Sequence, residues 1–388
     1  MQERDQLIFV YFHLGLNYKE ILQILNEKHR IGISLCHLKR LLASFGLYRR
    51  KKYSDLLDVA MFIHEQVQES EQLNGYRWMH LKCLHSGLTV RKETVRLLMR
   101  ALNPGGVNNR MKRKLKRRDY IGQGPNFIWH LDSYDKLKPF GFCINGCIDG
   151  YSRFIVWLHV NRTSSDPRVI AGYYIKAVIR NNGVPLRMRG DLGTENTHTA
   201  QMQTFFHRND HRNTFIYGTS QHNQRIESWW SVLRRENTDF WISLFQTFKK
   251  DGFYTGNFID KNLLQFCFVK LLKREFQNVV DTWNHHKIRP CKYEGNVHGR
   301  PVILYNCPRN EDTLNFLCPV RPEDVEACLE ECLFPEDICD KNVFDLACIV
   351  MRENHLDKPE DPYAATNLYI ELRNIFRNKN GAMITSIH

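Results

Sequence analysis

A chain of 388 residues with 43% hydrophobic and 12% aromatic content can bury several cores, so roughly two to four domains are expected and intrinsic disorder is excluded as the governing state. No apolar run reaches the length of a bilayer span and the charged start, MQERDQ, lacks an apolar signal core, so neither a membrane nor a secreted protein is expected, and the twelve cysteines are expected as reduced thiols. The formal net charge of +13 points to a polyanionic partner, and it is unevenly spread: residues 311–361 hold 15 acidic against 4 basic side chains, a local net of −11 that leaves +24 on the rest.

The first fifty residues predict three short helices, over 6–14, 18–28 and 34–45, broken at Gly15 and Asn17 and closed by Gly46. Ile21, Leu22 and Leu25, then Leu35, Leu38, Leu41 and Leu42, recur at helical spacing, and Ser34 is a fitting N-cap. The third helix displays His37, Lys39 and Arg40 and is followed by Arg49, Arg50, Lys51 and Lys52. That pattern suits a helix-turn-helix reader of DNA, and also a small helical bundle with ordinary surface charge. Residues 53–102 are helical again, with a turn at Gly87 and a further helix from Arg91. Next comes RMKRKLKRR, residues 110–118, in which Lys112, Arg113, Lys114, Lys116, Arg117 and Arg118 join Arg110. Such a run repels itself and stays extended until an anion arrives. Tracking a DNA backbone, directing nuclear import and serving as a solvated linker are all open to it.

From residue 126 the pattern changes. NFIWHLDSYD, GFCINGCID and RFIVWLHV are aromatic and β-branched runs separated by Gly or Ser turns, as in an antiparallel meander. A helix over 165–180, the strand PLRMRGD, a helix over 199–207, the strand TFIYG and a long helix opened near His222 follow. That order is the order of an RNase H-like α/β core: a mixed five-stranded sheet with flanking helices, here between an all-α N-terminal region and an α-helical C-terminal extension.

Three carboxylates fall at telling places in that order. Alternation sends His130, Asp132 and Tyr134 to one face of the first strand. Asp191 ends the fourth strand, and Glu227 lies about one turn into the last helix, with 35 residues between the two. A phosphodiester under attack needs the charge on its entering and leaving oxygens neutralised, which two divalent ions about 3.5–4 Å apart can do. Asp and Glu are the side chains that suit Mg²⁺. Taken one at a time, each acid is also an ordinary turn former or solvated charge.

The segment from about 126 to 235 resembles the catalytic core shared by retroviral integrases, retrotransposon integrases and DDE transposases. RGDLGTEN resembles the family's second-Asp motif, SQHNQRIESWW its third motif, and CIDGYSRFIVWLHV its second and third strands with an Asp-x-x-Ser-Arg turn. Residues 53–108 resemble the second helix-turn-helix unit that precedes the core in many insertion-sequence transposases and integrases. The resemblance implies that Asp132, Asp191 and Glu227 bind two Mg²⁺ or Mn²⁺ ions and catalyse DNA nicking and in-line strand transfer. It offers Asn196 and Asn223 as residues orienting the loop or the DNA, and Gln224, Arg225 and Arg234 as phosphate contacts. It also implies DNA and further copies of the chain as partners.

The expected organisation is a helix-turn-helix unit at 1–52, a second helical DNA-binding unit at 53–108, a basic linker at 109–124, the catalytic core at 125–290 and an acidic helical region at 291–388. No His-x₃₋₅-His…Cys-x₂-Cys module precedes the core, so helix-turn-helix units stand where retroviral integrases carry a zinc domain. Location is expected to be nuclear in a eukaryote, because of the basic tract, and cytoplasmic otherwise. A domesticated nucleic-acid-binding protein that keeps the fold without strand transfer is the alternative.

Overall fold

Trp129–Tyr134 (β1), Cys143–Asp149 (β2) and Ile155–Asn161 (β3) form the antiparallel meander, and Met188–Gly190 (β4) and Phe215–Tyr217 (β5) extend it in parallel on the β1 side, in the order β3-β2-β1-β4-β5. The computed structural model describes residues 3–68, 74–105, 122–163, 165–210, 212–218, 223–290, 297–308, 313–335 and 339–385, without the side chains of 378–385. The meander turns at Asp149, whose carboxylate accepts from the backbone N–H of Asn126 and Ser152 (both 2.7 Å) and from the Ser152 hydroxyl (2.6 Å). This acid of the Asp-x-x-Ser-Arg turn is therefore a turn former.

Ahead of the sheet, three helices, Glu3–His13 (α1), Tyr18–Glu27 (α2) and Leu35–Ser44 (α3), are followed by Leu56–Gln68 (α4), Tyr76–His85 (α5) and Lys92–Leu102 (α6). Asn17 and Glu20 form a capping box on α2, and the Ser34 hydroxyl caps α3. Within the core, Pro167–Asn181 (α7) and Thr197–Phe206 (α8) precede Gln224–Leu233 (α9), Asp239–Lys250 (α10) and Phe258–His285 (α11). Four helices complete the chain: Pro301–Asn306 (α12), Pro322–Glu330 (α13), Lys341–Glu353 (α14) and Pro362–Thr385 (α15). No described helix is long and apolar enough to cross a membrane.

The sheet is covered on both faces. Trp129, Leu131, Cys147 and Trp157 pack under Ile170, Tyr174, Ile175 and Val178 of α7. Tyr134, Ile144, Ile148, Leu158 and Val160 pack under Ile226, Trp229, Trp230 and Leu233 of α9 and a large aromatic cluster from α10 and α11. The edge strand β3 is closed by α11, where Asn284 accepts from the Ile155 N–H at 2.8 Å and donates to its carbonyl at 3.2 Å.

The acidic region does not stand apart as a separate domain. Val302, Ile303 and Cys307 complete the hydrophobic core of α1–α3, and Arg300 ties that unit to the sheet domain through Glu20 (2.9 Å), the Gly15 carbonyl (2.8 Å) and the His285 carbonyl. Cys328 lies in the same apolar cluster as α7. Val343, Ala347, Leu368, Tyr369 and Leu372 share the aromatic cluster on α11, and Arg373 meets Asp260 there at 2.8 Å with both side chains almost wholly buried. Cutting away Arg373 leaves a buried carboxylate unpaired, so Arg373→Ala is expected to cost about 3–5 kcal/mol of unfolding free energy, measured by denaturant titration.

Candidate active site

The face of β1 predicted by alternation turns toward α9 and the turn that follows it, and each of its three polar residues bonds there. His130 Nδ1 lies 2.7 Å from Asn223 Oδ1, the Trp230 indole N–H donates to Asp132 Oδ2 at 2.7 Å, and the Tyr134 hydroxyl lies 3.2 Å from Thr238 Oγ1. Asn223 also donates to the Leu131 carbonyl at 2.8 Å. The second oxygen of Asp132 accepts from the Ser133 N–H at 2.9 Å, so both carboxylate oxygens are held. Across the ladder from Asp132 stands Gly146. A Cβ there would come within 2.7 Å of Trp230 Cη2, so glycine is what admits the indole ring.

Asp191 follows β4, which pairs in parallel with β1, Trp129 beside Met188 and His130 beside Arg189. Carried on at the same offset, that register brings Asp191 level with Asp132. Its Oδ1 accepts from Asn196 Nδ2 at 2.6 Å and from the Gly193 N–H at 3.3 Å, which stiffens the GDLGTEN turn around the acid. Glu227 is placed by its neighbours. Asn223, one turn earlier, and Trp230, one turn later, are the two residues that pin this helix to β1, so Glu227 sits between the anchors on the same side, with its carboxylate exposed.

Burial, followed by the like charges of Glu227 and Asp191, raises Asp132 to about 7 against the opposing pull of the Trp230 hydrogen bond. Burial also raises Glu227. Among the described residues no Lys or Arg forms an ion pair with any of the three acids. Three mutually repelling oxygen donors without a counter-cation fit a hard divalent ion in kind. The geometry is open: among the described residues no three acidic, His or Cys groups already form a metal cage.

The other predicted residues divide. Asn196 and Asn223 are buried and bond within the protein, so they orient the acid-bearing turn and helix from inside. Arg225 braces the start of α9 against the Gly150 carbonyl at 3.0 Å, Gln224 is half-buried beside it, and Arg234 pairs with Asp239 at 2.8 Å on the surface. On α3, Lys39 and Arg40 are exposed and His37 half-buried, far along the chain from the acids, whereas Arg49 folds back onto the Phe12 ring and the Leu16 carbonyl (2.9 Å). Lys112, Arg113, Lys114, Lys116, Arg117 and Arg118 lie outside the described residues. His207 is buried against the Pro185 carbonyl at 3.0 Å. Trp229 and Trp230 are both buried, their indoles filling the space between α9 and the sheet. Trp230 and Gly146 are the site residues that sequence reasoning missed; the small residue opposite Asp132 in an otherwise bulky strand was the available signal.

Residues 120–299 match the family model described as an integrase core domain. A chain of the simian T-cell lymphotropic virus intasome, solved by cryo-electron microscopy in complex with PP2A regulatory subunit B56 gamma, is similar at 14% identity over 68% of this chain and 78% of that one, with a TM-score of 0.33, too distant to bear on the site. No curated protein matches the chain. By its family match and its β3-β2-β1-β4-β5 sheet, the segment 120–299 belongs to the integrase core domain family and has that family's RNase H-like fold.

Proposed function

We propose that the chain is a metal-dependent DNA strand transferase of mobile-element origin, nicking and joining phosphodiesters as a multimer on DNA ends. One observation carries the reading: Asp132 of β1 feels the like charges of Glu227, in the first turn of α9, and of Asp191, which follows β4, while among the described residues Asp132 and Asp191 are held by neutral donors and none of the three acids pairs with a basic side chain. Two Mg²⁺ or Mn²⁺ ions bound by these acids would neutralise the entering and leaving oxygens of the scissile phosphate. The protein's own share is positional. Trp230 and Ser133 fix the plane of the Asp132 carboxylate, Asn196 fixes Asp191, and the Asn223 anchor fixes the helix that carries Glu227. The exposed Lys39 and Arg40 of α3 and the tract at 110–118 supply positive charge for phosphates, and that tract would also direct the protein to the nucleus in a eukaryote.

A second reading, a domesticated nucleic-acid-binding protein that keeps the fold without strand transfer, draws on the open geometry of the three acids. Oligonucleotide joining with Mg²⁺ separates the two. Joined product supports the transferase, binding without turnover supports the domesticated protein, and hydrolysis alone supports a simple nuclease.

Asp191→Asn keeps the oxygen that Asn196 holds but removes the charge. It is expected to abolish nicking and joining while DNA affinity stays within about twofold, because no phosphate contact is lost. Activity surviving in that variant excludes Asp191 from the chemistry. Asp132 stands at about 7, so below neutrality a cation must displace its proton. Mg²⁺ affinity is therefore expected to rise about tenfold per pH unit from acid pH up to about 7 and then level off, as read by calorimetry across buffers. Replacing Lys112, Arg113, Lys116 and Arg117 with alanine is expected to weaken DNA binding and to flatten the plot of log affinity against log salt by about 0.9 per lost contact. An unchanged slope assigns the tract to another partner.

A further inference from the structure

Trp230 stands on the same helix as Glu227 and reaches across to the acid on the strand. Its N–H to Asp132 Oδ2 distance is 2.7 Å, its ring lies 5.3 Å from that of Tyr134, and Gly146 leaves the space the ring occupies. The neighbouring Trp229 is buried to the same degree, yet its indole N–H has no hydrogen-bond partner among the described residues. A buried indole N–H without an acceptor costs free energy, which at Trp229 the buried ring area must offset. Two adjacent tryptophans therefore differ in one respect: one serves as packing, while the other also has its donor aimed at a candidate metal ligand.

We propose that Trp230 is a positioning residue for metal binding, its indole N–H holding Asp132 Oδ2 so that the carboxylate keeps one orientation toward the cation. The inference rests on the reading of Asp132 as a metal ligand. A carboxylate on a short side chain rotates about χ2 at little cost, and a ligand free to rotate must be ordered when the ion arrives. The two hydrogen bonds, from Trp230 to one oxygen and from the Ser133 N–H to the other, do that ordering in advance and leave the remaining lone pairs for the ion. The donor is neutral, so it orients Asp132 without satisfying its charge. An arginine at the same place would orient it equally well and compete with the cation. Because Trp230 lies one turn beyond Glu227, the same bond sets the distance between the strand that carries one acid and the helix that carries another.

The test uses the full chain and Mn²⁺ alone, with affinity measured by electron paramagnetic resonance in the absence of DNA and stability by thermal unfolding. Trp230→Phe and Trp229→Phe remove similar buried area and are both expected to lower Tm, Trp230→Phe further because it also loses the bond to Asp132. Only Trp230→Phe is expected to weaken Mn²⁺ binding, by about tenfold or more. Should the phenylalanine variant fail to fold, the benzothienyl isostere of tryptophan at position 230, with sulfur in place of the N–H, keeps the ring and removes the donor alone. It is expected to show the same loss. Native Mn²⁺ affinity in the isostere, or equal losses at positions 229 and 230, overturns the proposal. Asp132→Asn separates this from the underlying reading: Mn²⁺ affinity unchanged in that variant removes Asp132 from the metal site altogether, and this inference with it. Affinity lost there but retained in the isostere overturns the role of Trp230 alone.

Discussion

The sheet domain depends on the way one strand is fastened to one helix. His130, Asp132 and Tyr134 are alternate residues of β1, and they meet Asn223, Trp230 and Thr238. Asn223 and Trp230 are seven apart, two turns of α-helix, and so share a face. Trp230 and Thr238 are eight apart, one too many for the same face in a regular helix. The turn Arg234–Thr238 is a π-helix, which takes up one extra residue and returns Thr238 to the side facing β1. The π-turn thus has a local structural cause, since without it the third contact would point away.

This fastening explains how like charges are tolerated at one edge. Burial raises the proton affinity of Asp132, and the neighbouring charges of Glu227 and Asp191 add to it. A protein with no further use for the cluster could relieve it with a lysine or arginine. Here the relief comes from dipoles: the indole N–H, two backbone N–H groups and an amide, none of which carries a charge. Dipoles fix direction and leave most of the field in place, so the edge stays attractive to a cation. That combination of firm orientation and unmet charge is what sets these acids apart from Asp149, whose carboxylate is consumed by its own turn, and from Asp260, which is paired with Arg373.

Much of this was legible in the chain itself because it is local. The two-residue alternation of WHLDSY predicted which side chains share a face, and Ser34 announced the start of α3. The five strands, and the helices α7, α8 and α9, fall within a few residues of the apolar runs and Gly or Ser breaks that predict them. What was not legible is contact between distant residues. Asn223 looks like a surface residue in a polar loop and turns inward only because β1 offers it a carbonyl. Gly146 looks like a weak point in a strand until the indole fills it. Arg373 is 113 residues from Asp260, and the acidic composition of the surrounding stretch concealed that its apolar stripes are shared with α11.

The same sharing bears on how the helical units and the acids act together. Arg300 joins α2, the α1–α2 loop and the end of α11 with a single guanidinium, while Val302 and Ile303, next to it in the chain, sit in the core of α1–α3. Burial holds His285 down to about 4, with the charges of His85 and Arg300 acting in the same direction, and the Arg300 guanidinium holds Glu20 and two carbonyls at once. Trp78 of α5 packs against His286, which fastens the second helical unit to the same place. Both N-terminal units are therefore braced on the end of the helix that also closes β3, so their bearing toward the acids is set by packing. The exposed Lys39 and Arg40 on α3 thus keep a fixed bearing toward the three acids, set by buried contacts at the end of α11.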